Sequence, residues 1–136
     1  MNAPSLDIVE MIEAYGDSSG IDLIYATNLF IAVEPTTPKN CVTIFDTPGF
    51  APYLGVGGDV GYEYPSIQIR VRNTSYTAGW NLINSIKDAL HGKHQETWNG
   101  ALYTLITCSS GPALLDRDDN GLCRLVCTFN LQRRVA

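Results

Sequence analysis

Tyr64-Pro65-Ser66-Ile67-Gln68-Ile69-Arg70-Val71-Arg72-Asn73 carries an alternation that sets the pattern for the whole chain. In an extended chain Ile67, Ile69 and Val71 point to one side and Gln68, Arg70 and Arg72 to the other, the period-two pattern of a half-buried strand. After Asn73 the period changes. From Tyr76 to Leu90 the apolar residues Leu82, Ile83, Ile86, Ala89 and Leu90, preceded by Gly79 and Trp80, follow one helical face. A strand therefore feeds a helix, and His91-Gly92 stops it.

Working outward, Ser5 is placed to cap an earlier helix whose apolar face runs through Leu6, Ile8, Val9, Met11, Ile12 and Tyr15, with Asp7 favoured by the dipole of its first turn. Gly16 is placed to end it. Leu29 to Val33 reads as a short buried strand and Cys41 to Asp46 as a second. Thr47 to Glu63, with two prolines and five glycines, reads as a long loop that reaches a partner through Phe50, Tyr53, Leu54 and Val56. Its Gly55-Val56-Gly57-Gly58 lacks the lysine and the following helix of a phosphate loop. Asn99-Gly100 predicts a tight hairpin, Ala101 to Ser109 a strand leading into Ser110-Gly111-Pro112, and Leu122 to Leu131 a closing strand. In that closing strand Cys123, Leu125, Cys127, Phe129 and Leu131 share one face, opposite Arg124. The expected fold is α+β: a single domain with a small, mainly antiparallel sheet and helices packed on one face.

A chain of 136 residues suits one domain with one core. At 45% hydrophobic and 17% charged residues it belongs with folded rather than disordered chains. No apolar run is long enough to cross a bilayer and the amino terminus is unlike a signal peptide, so cytosolic synthesis is expected. The net charge of −5 divides into −8 over residues 1 to 63 and +3 over 64 to 136. Acidity overall disfavours a nucleic-acid coat protein. Two unlike halves suit head-to-tail self-association, unless the charges interleave in three dimensions.

Three motifs invite a chemical reading. Cys41, Cys108, Cys123 and Cys127 lack the close pairing of a zinc site and read as buried thiols. His91 and His94 read as surface histidines. Asp116, Asp118, Asn120 and Gly121 match the first half of a calcium-binding loop, but its twelfth position is Cys127 rather than Glu, and a strand follows where a helix should. A hairpin turn accounts for the same residues. No catalytic residue, metal ligand or cofactor is assigned.

Pro65 to Arg72 with Tyr76 and the helix ending at Gly92, Asn40 to Gly49, and Ser110 to Leu115 with Asp118 to Gly121 and the strand to Asn130 together resemble the minor capsid and tail-terminator proteins of long-tailed phages. The resemblance extends from the first helix to Arg133. It implies a non-enzymatic virion protein at the head–tail junction, a ring that is hexameric in the better-known relatives. Such a ring stops the tail tube protein from polymerising, docks to the head-closure or connector protein, and encloses a lumen that genomic DNA can traverse without sequence-specific contacts. A head-closure or other neck protein of the same virion is the alternative, ahead of a small calcium-binding or enzymatic domain. Gln68, Arg70, Arg72 and Arg124 are the expected assembly contacts, set against the possibility that these arginines pair with acids of their own subunit.

Overall fold

The computed structural model describes residues 1–19, 21–52 and 61–136. In chain order these form α1 (Pro4–Ser19), β1 (Leu29–Ile31), β2 (Cys41–Phe50), β3 (Tyr64–Asn73), α2 (Tyr76–Leu90), β4 (Glu96–Trp98), β5 (Ala101–Arg117) and β6 (Cys123–Val135). Among the described residues the strands make a single six-stranded sheet in the order β1-β2-β3-β6-β5-β4.

The opening stretch becomes β3, in the middle of that sheet and antiparallel to both neighbours. Ile69 faces Ile44 on one side and Cys127 on the other. Its inward residues Ile67, Ile69 and Val71 are fully buried, and the core continues through Val42, Ile44, Leu125 and Phe129 to Ile8, Met11 and Ile12 of α1 and Ile83, Ile86 and Leu90 of α2. Each such side chain contributes about 1.5–3 kcal/mol on removal from water. Both helices touch the sheet and each other. The helix expected over 76–90 has these bounds, with Ser75 as N-cap accepting from the Ala78 N–H. Asn99 and Gly100 both have positive φ, as a two-residue hairpin turn requires.

The sheet is mixed where a mainly antiparallel one was expected, because β1 runs parallel to β2. β1 also stops at Ile31. Ala32 turns to φ 65 and donates to the Ile44 carbonyl, and the chain then returns through residues 33 to 40.

Three boundaries move for local physical reasons. Gly16 lies inside α1, where a Cβ would sit 2.4 Å from the Ile21 carbonyl oxygen, so it permits a close approach rather than a stop. The head of α1 is held by Asp46, whose carboxylate accepts from the Ser5 N–H at 3.0 Å and the Ser5 hydroxyl at 2.6 Å. Pro4 takes the first helical position, where its missing N–H costs nothing.

β2 runs on to Phe50, so the first residues of the expected loop are strand, and Gly49 fits because a Cβ there would overlap the Tyr64 carbonyl oxygen at 1.9 Å. Tyr53, Leu54 and Val56 lie outside the described residues. β5 passes through Ser110-Gly111-Pro112 to Arg117, with register shifts against β6 around these residues. Such bulges accommodate a proline that cannot donate to the ladder.

Candidate assembly surface

The register places Gln68, Arg70 and Arg72 on the outer face of β3. Phe45, Thr43 and Cys41 of β2 lie beside them on one side, and Thr128, Val126 and Arg124 of β6 on the other. Phe50, opposite Tyr64, shares that face. All of the described assembly residues expected from sequence are thus brought together on one side of the sheet. Their surroundings differ sharply along its length.

At the β1 end Arg72 is only 6% exposed. Its Nε donates to the Lys39 carbonyl at 3.0 Å and its Nη2 to the carbonyls of Pro38 at 2.8 Å, Thr36 at 3.3 Å and Pro35. Glu34 lies 4.0 Å from its Nη1. Arg72 thus clamps the 33–40 return segment of its own chain, in line with the own-subunit alternative for these arginines, although mainly through carbonyls rather than acids. Arg124 is also engaged internally, with Asp116 at 2.7 Å and Glu34 at 3.1 Å.

Arg70 is different. Its Nε donates to Gln68 Oε1 at 2.8 Å and its guanidinium lies 4.7 Å above the Phe45 ring, an arrangement that orients the cation without neutralising it. Among the described residues no acid pairs with it. At the far end Phe50, 73% exposed, borders a shallow groove with Tyr64, Leu105, Thr107, Asn130 and Gln132. The outer face thus grades from an apolar end through a free, oriented cation to a fully paired charged end. Phe45, Leu105 and Glu34 were not singled out in the sequence, and Asp116 was singled out only for its likeness to a calcium-binding loop and not as a partner of Arg124. For Phe45 the signal was available in the alternation of Val42 and Ile44 against Thr43 and Phe45.

A second polar cluster lies on the core side. Asp7, fully buried, accepts from Tyr103 Oη and from Asn99 Nδ2 at 2.7 Å, and lies 3.7 Å from Arg133. Arg133 also reaches Glu63 at 3.1 Å and the Asn2 carbonyl at 2.9 Å. Burial first, then the hydrogen bond to Asp7, pushes the Tyr103 phenol well above its usual range. Asp7, expected only to favour a helix dipole, in fact ties α1 to β5 and β6.

The remaining motifs are absorbed by local structure. Asp118 Oδ1 accepts from the N–H groups of Asn120 and Leu122, both at 2.9 Å, and so closes the β5–β6 turn, in which Gly121 has φ 78. His91 Nδ1 accepts from the Cys108 N–H at 2.9 Å, and His94 Nδ1 lies 3.1 Å from the Gly92 carbonyl. Cys41, Cys123 and Cys127 are buried free thiols and Cys108 is half-buried.

Comparison with known proteins bears on this surface. A search of curated protein sequences finds no match. Among solved structures, a chain described as "Virion of native gene transfer agent (GTA) particle" superposes with a TM-score of 0.67 at 14% identity, covering 96% of this chain and 94% of that one. At that identity the likeness is one of fold. The sequence model described as bacteriophage tail terminator protein matches residues 7–134, which takes in most of α1, all of α2 and the sheet except the last residue of β6. The chain belongs to the bacteriophage tail terminator family.

Proposed function

We propose that this chain forms a closed ring, hexameric like the ring its resemblance implies, which caps the tail tube and joins it to the head connector. Family membership supports a tail structural protein. A small subunit can surround a DNA-wide channel only by repeating a head-to-tail contact until it closes. In this reading the two helices cover one face of the sheet and leave the outer face for contact. The observation that carries the proposal is Arg70, held in place by Gln68 and Phe45 and lacking an acidic partner among the described residues.

Such a pre-oriented cation sets the register of a contact with an acidic surface and speeds encounter more than it adds affinity. Phe50 supplies the apolar end of the same contact, and Tyr53, Leu54 and Val56 a second one. The test is Arg70→Glu, assayed by light scattering for particle size and by negative-stain imaging with tail tubes. Loss of rings or of tube capping by a normally folded variant is expected. Rings and capping identical to wild type would remove Arg70 from the contact. Deleting Gly55 to Gly61 is expected to disturb assembly more than folding, and a collapse of monomer stability would refute that second contact.

A further inference from the structure

Cys108 of β5 and Cys127 of β6 are not cross-strand partners, since Cys108 faces Phe129. The register shift after Cys108 nevertheless brings their Sγ atoms to 3.3 Å, and both point at the Ser110 carbonyl oxygen, at 3.2 and 3.3 Å. Cys127 is 1% exposed while Cys108 is half-buried, so one thiol of the pair is open to reagents and the other is screened. The Cys108 N–H is fixed by His91 Nδ1, which holds this sulfur's backbone in place.

We propose that Cys108 and Cys127 form an oxidisable dithiol, a modification site that a peroxide closes to a disulfide stapling β5 to β6 where their register shifts. The Cys108 thiolate attacks the peroxide oxygen, giving a sulfenic acid and releasing one water after proton transfer. Cys127 Sγ then attacks Cys108 Sγ and expels the hydroxyl, which leaves as a second water with the Cys127 proton. Two thiols are oxidised, one hydrogen peroxide is reduced, and two waters form. Cys108, half-buried where Cys127 is screened, meets the peroxide first and Cys127 resolves; burial, and then the hydrogen bond shared with Cys108, push the Cys127 thiol up to about 12. Bond formation closes the sulfurs from 3.3 Å to about 2.05 Å. Reducing cytosolic thiol pools keep such a pair open, and an oxidising exterior closes it.

The test treats the purified full chain with hydrogen peroxide, then denatures it, alkylates free thiols and maps peptides without reduction. The expected result is loss of two of the four thiols, an intrachain Cys108–Cys127 peptide that dithiothreitol releases, and Cys41 and Cys123 still alkylated. Four surviving thiols, a disulfide between two chains, or Cys108 carried to sulfinic acid beside an intact Cys127 would overturn the proposal. In Cys127→Ser the Cys108 sulfenic acid should persist and be trapped by dimedone. The wild-type map decides by itself if that variant fails to fold.

Discussion

Arg70 and Arg72 stand two residues apart on the same face of β3, yet removing each should do different things. Arg72→Met keeps most of the buried stem and deletes the guanidinium. That strips the hydrogen bonds to the carbonyls of Pro35, Thr36, Pro38 and Lys39 and leaves Glu34 without this neighbour. A hydrogen bond to a charged group is worth about 1.5–3 kcal/mol, and each buried acceptor left unmade costs about 1–3 kcal/mol. The 33–40 segment lies at the surface and can lift to regain water, so the losses do not add in full. About 2–4 kcal/mol is expected, a fall in Tm of roughly 8–16 °C at about 4 °C per kcal/mol for a domain of this size. Arg70→Met loses one part-buried side-chain hydrogen bond and a cation–π contact worth about 0.5–1 kcal/mol, and should cost no more than about 1.5 kcal/mol. Urea and thermal unfolding followed by circular dichroism measure both. Equal effects of the two substitutions, or an Arg72→Met cost below about 0.5 kcal/mol, would refute the assignment of Arg72 to the fold and Arg70 to the surface.

Asp7→Ala takes away one of the two carboxylates beside Arg133, Glu63 remaining, and leaves the buried Tyr103 hydroxyl without its acceptor, so it should destabilise by about 1.5–3 kcal/mol; urea midpoints of the Asp7→Ala, Arg133→Met double-mutant cycle report how much of this belongs to the pair. Gly16→Ala gains about 1 kcal/mol of helix propensity but drives a Cβ to within 2.4 Å of the Ile21 carbonyl oxygen, so a net loss of roughly 1–2 kcal/mol is expected. A Gly16→Ala variant more stable than wild type would show that the α1–Ile21 approach relaxes freely. The folded-state pKa values of Tyr15 and Tyr103 are raised, chiefly by burial and then by their hydrogen bonds to Glu96 and Asp7. Above about pH 10 the unfolded chain gives up these protons while the folded chain keeps them. Stability is therefore complete below that pH and falls as pH rises toward the folded-state values. Tyr15→Phe should flatten the fall in a series of melting curves between pH 8 and 11.

What could be read in the sequence was what depends on near neighbours. The alternation of Ile67, Ile69 and Val71, the helical spacing from Tyr76 to Leu90, the alternation from Cys123 to Leu131 and the Asn99-Gly100 turn each encode their conformation within a few residues. Features that depend on distant partners were not legible. The run from Leu29 carries no information about which way β2 passes it, so the parallel pairing could not be seen. Gly16 reads as a helix stop until Ile21 is known to lie against it. Ser5 reads as a cap until Asp46, 41 positions away, is seen to hold it. Gly111-Pro112 reads as a break because only β6 shows that bulges can carry the strand through. Likewise nothing local separates Arg70 from Arg72: the difference is made by where the 33–40 segment crosses the sheet.

In the proposed role, copies of this chain close into a ring on the end of a tail tube. Polymerising tail tube protein in the presence of the purified chain, with tube ends scored by negative-stain electron microscopy, tests it most directly. A ring on one end of each tube and no further growth at that end are expected, with loss of both in Arg70→Glu while Arg72→Met acts only through stability. Tubes that keep growing with bare ends, beside a chain that remains monomeric by light scattering, would contradict it.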